Sequence, residues 1–452
     1  MSQNHVFNNR FKRAKDNPDH ARRRNVPAPS DTEIEQRLKD LVQPAVFAEL
    51  AYYQQLGLRN RLLTLPVMVA IVLAMIWRQI PGVCTLQRVL ARERVLWAEP
   101  MRVSQPALSE RFLTFPAELF ERVLMKVLDQ LPARLAARTH PQPLWVQQLR
   151  SRFPTCFALD GTTLEALFRK VGSLRERPEA PLAGHLAAVV DLVSHVPVRV
   201  WFAEDSQTND KAFLPEILAW LPGHSLVVFD LGYFSFPFFD ALTQAGHSFV
   251  TRLRDKTSFT IQAILVDQGP VRDRLVHLGK YRSNPSHSPV RLIEVQVGGT
   301  WRSYLTNVLD PAQLSVNEVV HLYEGRWQIE TAFLLVKRLL GLSYLWVGSL
   351  NGVQLQVWAT WLYYAVLIDL CEEVAQVAQV SAQRISIEMV SRSLYFYAQA
   401  VTGGYAGSAA AYLADPANRD LGIFKRVRRL HPTLAEQLDQ IVKTNLTSPQ
   451  LP

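Results

Sequence analysis

An α/β architecture flanked by helical regions is predicted by three features of the 452-residue chain. Helical periodicity punctuated by Pro and Gly runs from about 32 to 140. Short Val- and Phe-rich runs separated by turn residues fill the middle, and the helical period returns after Leu309 and dominates to the end. The apolar share, 48%, suits a packed globular chain, and the length allows about two to four domains. The implied bounds are a basic arm (1–31), a helical N-terminal region (32–150), a strand and helix segment (151–247), a β-rich segment (248–308), a helix-bearing segment (309–370) and a helical C-terminal region (371–452).

The first thirty residues carry seven Lys or Arg against two Asp, so the net charge of +9 is unevenly placed. A basic, apolar-poor arm of this kind suits a polyanion such as nucleic acid, and a solubilising tail is the competing reading. Three cysteines, Cys84, Cys156 and Cys371, are too few and too scattered for a disulfide framework or a zinc knuckle, which predicts an intracellular, cytoplasmic protein. The arm lacks the apolar stretch of a signal peptide. The apolar runs Leu63 to Trp77 and Val353 to Leu370 are interrupted by Pro66 and by Gln354, Gln356 and Asp369, and are expected to be core helices rather than membrane spans.

Within the first helical region, Ser104 to Phe115 resembles the turn and second helix of a helix-turn-helix, with Ser104, Gln105, Ser109 and Arg111 available to touch DNA. An ordinary helical hairpin explains the same residues. From about 153, "FPTCFALDGTT" predicts a strand ending at Asp160, and "HLAAVVDLVSHVPVRVWFAE" two strands joined by a turn near Ser194 to Pro197. "KAFLPEILAWLP" predicts a helix, "HSLVVFDLGYFS" a strand ending at Asp230, and "FPFFDALTQAGH" a short helix closed by Gly246. Residues 248–308 are strand-like with basic loops.

Asp160 and Asp230 each close an apolar strand ahead of a Gly-containing turn, where α/β sheets place their chemistry, although a single Asp there also serves as a turn former or cap. The segment "HLYEGRWQIETAFLLVKRLLG", His321 to Gly341, predicts one helix. At about 100° per residue, Tyr323, Arg326, Glu330 and Lys337 fall on one arc of roughly 60°. Ile329 and Phe333 border it on one side and Trp327 and Leu334 on the other, while Glu324, Gln328, Thr331 and Arg338 form a separate arc expected to face solvent. A polar stripe walled by apolar residues is costly to bury unless it is paired or binds ions. Three carboxylates without a His or Cys cluster suit hard divalent cations such as Mg²⁺ or Mn²⁺, two of which can act on a phosphodiester, and the Arg, Lys and Tyr would then hold phosphates.

The spacing Tyr323-x2-Arg326-x3-Glu330-x6-Lys337, with "ALDGTTL" and "VVFDLGYFS" upstream, resembles the Tyr-Arg-Glu-Lys signature of bacterial insertion-sequence DDE transposases of the insertion-element-four group, over roughly residues 150–345. The resemblance implies an RNase H-like catalytic core split by a mostly β insertion before the Glu-bearing helix. It implies that Asp160, Asp230 and Glu330 hold two Mg²⁺ or Mn²⁺ ions, and that Arg326, Lys337 and Tyr323 contact phosphates at the transposon end. The activity implied is hydrolysis to free a 3′-OH and its attack on another phosphodiester, on terminal inverted repeats and target DNA, by a homodimer without a membrane. Trp301 stands one position from a base-stacking Trp of some relatives, and core packing is its competing reading. Asn209-Asp210 is similar to a variable family feature and is read as a helix cap. A haloacid-dehalogenase-type phosphohydrolase is excluded because Ala158 stands where its nucleophilic Asp would be. A silent or domesticated DNA-binding descendant is the alternative.

Overall fold

The computed structural model describes residues 32–58, 61–142, 144–164, 184–342, 346, 349–424 and 437. The basic arm before Thr32 lies outside the described residues, as do residues 425–431 of the basic run Phe424 to His431, which the sequence offers as a candidate for dimerisation or DNA contact. The chain divides into two compact units, one running to Leu124 and including Leu345–Tyr363, the other comprising Met125–Tyr344 and the chain from Tyr364 on.

In the first unit the helices are α1 (Thr32–Leu41), α2 (Gln43–Ala48), α3 (Leu50–Gln55), α4 (Leu65–Trp77), α5 (Val83–Leu90), α6 (Gln105–Thr114) and the start of α7 (Ala117–Ala136). The apolar α4 is buried on nearly all sides, as expected of a helix with no polar face. Among the described residues no helix is long and apolar enough to cross a membrane. Polar pairs close the unit: Arg122 Nε donates to the buried Glu49 carboxylate at 2.6 Å, and Asn351 Nδ2 donates to the carbonyls of Phe112 and Phe115 at 3.0 and 2.8 Å. The last two bonds satisfy carbonyls that the end of α6 would otherwise leave open.

The second unit is built on one sheet of nine strands, after α8 (Leu144–Arg152). They are β1 (Cys156–Thr163), β2 (His185–Asp191), β3 (Pro197–Ala203), β4 (Leu226–Phe229), β5 (Ser248–Arg252), β6 (Phe259–Gln268), β7 (Val271–Leu278), β8 (Val290–Val297) and β9 (Thr300–Thr306). Their order is β3-β2-β1-β4-β5-β9-β8-β7-β6, with β1, β4 and β5 parallel and every other neighbouring pair antiparallel. The strand-like stretch after β5 therefore adds four strands to the same sheet through β9, whose Tyr304–Thr306 pair with Val250–Arg252.

The "LVVF" of β4 is buried throughout, as a parallel strand covered on both faces must be. On one face Phe157, Leu159, Val227, Phe229 and Phe249 pack with α9 (Leu214–Trp220) and α10 (Phe236–Gln244), where Phe239 and Phe249 stack at 4.8 Å. Strand alternation turns Ala158 and Asp160 to the other face. That side carries α11 (Val316–Gly325) and α12 (Trp327–Leu334), followed by a π-helical turn at Leu335–Leu339. A capping box starts α11: Glu318 N donates to Ser315 Oγ at 3.3 Å and Ser315 N to Glu318 Oε2 at 2.9 Å. Three further helices follow, α13 (Leu350–Ala378), α14 (Ile387–Thr402) and α15 (Ala409–Ala414). Asp369, fully buried in the later part of α13, is bound by Arg134 and Arg138, each at 2.7 Å. Cys84, Cys156 and Cys371 are all free thiols.

Candidate active site

β1 does not end at Asp160 but runs on to Thr163, because its two edges stop at different places. On the β2 side pairing continues to Thr163 opposite His185, whereas on the β4 side the last pair is Leu159 with Phe229. Asp160 and Asp230 are thus the first residues past the last parallel pair, side by side at the opening between the two strands. Asp160 Oδ1 accepts from Gly161 N at 2.8 Å, and Asp230 Oδ1 accepts from Gly232 N at 2.8 Å as the cap of a short 3₁₀ turn, Leu231–Tyr233. Capping thus accounts for one oxygen of Asp230.

The single helix expected over His321 to Gly341 is instead three consecutive pieces. Arg326 ends α11 and begins α12 while its own φ and ψ, −52° and −33°, stay helical, so the chain keeps its course although the hydrogen-bond ladder changes. The π turn at Leu335–Leu339 widens the last part, where Leu340 N reaches back to Leu335 O at 3.0 Å. Only one of the two expected apolar walls is buried: Ile329 and Phe333 are inside, but Trp327 and Leu334 are 61% and 44% exposed. The polar stripe runs along the border of the buried face. Gln328, Thr331 and Arg338 face solvent, and Glu324 is half-buried.

Arg326 joins these elements. It is 6% exposed, and its guanidinium donates through Nη1 to Asp160 Oδ2 and through Nη2 to Glu330 Oε1, both at 2.7 Å. Its Nε has no hydrogen-bond partner. The Tyr323 ring lies 5.7 Å from the guanidinium and 5.4 Å from the ring of Tyr304 on β9. Lys337 turns to the far end of β1, donating to Thr162 Oγ1 and, at 2.8 Å, to Thr163 O.

Acid outweighs base here. Burial pushes the Asp160 carboxyl up to about 7; the Arg326 charge opposes this, and the neighbouring Asp230 and Glu330 add to the rise. One guanidinium cannot neutralise three carboxylates, so retaining a proton on the most buried of them is the physical outcome. Burial lowers the Lys337 ammonium below its usual range and, outweighing Arg326, raises the Tyr323 hydroxyl. Burial alone would lower Arg326, but Asp160 and the bond to Glu330 more than reverse it.

Among the described residues no three His, Cys, Asp or Glu side chains stand close enough together to hold one metal ion, and Arg326 stands between Asp160 and Glu330. The donor set nevertheless suits a hard divalent cation, since carboxylates from a strand end and a helix already converge on one cationic group.

Two residues expected to touch DNA are engaged within the chain. Trp301 on β9 is three positions from Tyr304, so alternation turns it away from the face that meets Tyr323, and Arg272 lies over its ring at 4.3 Å. Arg111 belongs to the other unit, where it donates to Leu63 O at 3.1 and 3.3 Å and lies over the Phe115 ring at 4.7 Å. The groups expected to be free beside it are also engaged: Ser104 caps α6 through Ala107 N, and Gln105 donates to Ser109 Oγ at 2.9 Å. Helix capping and local bonding satisfy these side chains, as short polar residues at a helix start usually are.

Conversely, the sequence does not single out His185 or Tyr233, and it offers Asn209-Asp210 as a variable family feature and a helix cap. Asn209 does cap a 3₁₀ turn at Asp210–Phe213 by accepting from Lys211 N at 3.0 Å. Asp210 itself reaches His185, with Oδ1 2.7 Å from Nε2. Glycines directly after Asp160 and two residues after Asp230 were the available signal, because a glycine there permits another side chain to approach the backbone.

Residues 151–365 match the transposase DDE domain family. A putative transposase, y4zB, from Sinorhizobium fredii (strain NBRC 101917 / NGR234) is 30% identical over 148 residues, covering 31% of this chain and 41% of that protein. The chain therefore spans about two fifths of the length of that relative. Both likenesses are to transposases, and a mixed α/β sheet with flanking helices is compatible with a transposase core.

Proposed function

We propose that this protein is an insertion-sequence transposase that binds terminal inverted repeats and performs divalent-cation-dependent hydrolysis and 3′-OH strand transfer as a dimer. The observation that carries the reading is the convergence of Asp160 and Glu330 on Arg326, with Asp230 beside Asp160 beyond the last parallel strand pair. In this reading the strands ordered β3-β2-β1-β4-β5 form an RNase H-like core, and β6 to β9 are its insertion.

Asp160, Asp230 and Glu330 would hold Mg²⁺ or Mn²⁺, two ions in the expected arrangement. Bound there, the cations would supply Lewis acidity at the phosphodiester and favour the deprotonated attacking oxygen. Arg326 already lies against the carboxylates and is placed to bind a phosphate as they take up cations, through the fork geometry of its guanidinium. Lys337, desolvated beside Thr162 and Thr163, is a second cation for the DNA backbone, and the Tyr323 hydroxyl orients a phosphate near the cleaved strand. Arg111 and Trp301 are already engaged within the chain and are not needed for this reading.

The test is cleavage of a duplex carrying the element's terminal repeat. A Mg²⁺-dependent nick is expected, reduced by Glu330→Gln at least about 10²-fold while DNA retention on a gel is kept. Retention without metal-dependent cleavage would leave instead a DNA-binding protein of transposase descent.

A further inference from the structure

The cleft beyond β1 and β4 contains a fourth carboxylate. Asp210 follows β3, and two glycines make room for it: a β-carbon on Gly161 would stand 1.9 Å from its Oδ1, and one on Gly232 would stand 2.5 Å from its Oδ2. The same point at Gly232 lies 2.9 Å from Asp230 Oδ1, so oxygens of Asp210 and Asp230 share one small space. Two carboxylates held this close repel unless something fixes or neutralises them.

His185 fixes one. Its Nε2 lies 2.7 Å from Asp210 Oδ1, and the ring is held by stacking on Phe213 at 5.8 Å. With Oδ1 anchored, Oδ2 is left on the Asp230 side. A second, independent feature points at a missing ligand. The Tyr233 hydroxyl, one residue past Gly232, is wholly buried and has no hydrogen-bond partner, and burial raises its pKa, with Asp210, Asp160 and Asp230 adding to the rise. A buried hydroxyl without a partner loses the bonds it would make to water, so leaving this one open is costly unless a ligand arrives.

We propose that Asp210, oriented by His185, is a fourth carboxylate of the cation site, binding divalent metal ions together with Asp160 and Asp230. This rests on the metal-dependent reading above. Asp210 would touch the ion, and His185 is a positioning residue acting through Asp210.

The experiment counts free Mn²⁺ by electron paramagnetic resonance as it is titrated into the full-length protein without DNA. Asp210→Asn is expected to weaken Mn²⁺ binding about tenfold or more. Gly161→Ala, which keeps every charge but displaces Asp210, is expected to weaken it in the same direction. His185→Phe, which keeps the ring stack, should do so as well. An influence of Asp210 through charge alone predicts unchanged or tighter binding for Gly161→Ala and His185→Phe, and that result would overturn the assignment. Glu330→Gln separates the two levels. If it weakens Mn²⁺ binding while folded Asp210→Asn and Gly161→Ala stay within twofold of the parent, Asp210 is no ligand and the wider reading stands. If Glu330→Gln also leaves Mn²⁺ binding unchanged, the metal reading and this extension fall together.

Discussion

Two buried arginines in the same sheet-bearing unit behave differently. Arg291 on β8 is fully buried and meets one carboxylate and one carbonyl: Nε donates to both oxygens of Asp273 at 2.8 and 2.9 Å, Nη2 to Oδ2 at 2.5 Å, and Nη1 to Leu314 O at 2.5 Å. Charge there is balanced and both side chains are sealed, a cross-strand lock between β7 and β8 that also reaches the loop before α11. Arg326 divides itself between Asp160 and Glu330, keeps Nε without a partner, and has further acid nearby at Asp230. One pair is closed and balanced, whereas the other is open and holds excess negative charge. Excess negative charge that the chain does not neutralise is what a site for cations requires.

The sharpest way to break this contrast is to remove one member of the closed pair. Asp273→Ala leaves a buried guanidinium without its counter-charge, so a loss of about 3–5 kcal/mol is expected in denaturant unfolding. Mn²⁺ should restore none of it. A change below about 1 kcal/mol would mean that the pair is not sealed in solution.

Arg326→Met should cost less, about 2 kcal/mol without divalent ions. The open cluster can relax by hydrating the partly exposed Glu330 while Asp160 keeps its proton, which the sealed pair cannot do. Here added Mn²⁺ should recover the lost stability, since an ion can replace the cation removed. Equal losses for the two variants, or no recovery, would erase the distinction between lock and site.

A third expected effect is on pH dependence. The Asp160 carboxyl holds its proton in the folded protein up to about pH 7, against an ordinary value of 3.8. Between these values the folded state binds more protons than the unfolded chain, so stability should fall as pH rises through the window and level off above it. Asp160→Asn should flatten that part of the curve. A stability that climbs over the same range would show that Arg326, not burial, governs Asp160.

Much of the frame is legible in the sequence. The runs "CFAL" and "LVVF" mark β1 and β4 by their apolar, β-favouring side chains, and the two Asp residues beyond them fall where parallel pairing stops. The stripe from Tyr323 to Lys337 is legible through helical spacing alone. The break at Arg326 and the π turn were not, because the residues stay helical in dihedral angle and only their hydrogen-bond partners change. Trp327 and Leu334 illustrate a related limit: periodicity sorts residues into faces, but whether a face is covered depends on elements distant in the chain.

The sequence by itself marked Asp160, Asp230 and Glu330 as candidate cation ligands and Tyr323, Arg326 and Lys337 as candidate phosphate contacts, since spacing and residue type are local properties. Tertiary structure alone decided that Arg326 bridges Asp160 and Glu330, that Lys337 bonds the end of β1, and that Asp210 approaches Gly161 and Gly232 with His185 behind it. Those contacts join residues far apart along the chain, and their geometry follows from strand pairing and helix packing, which no local period encodes.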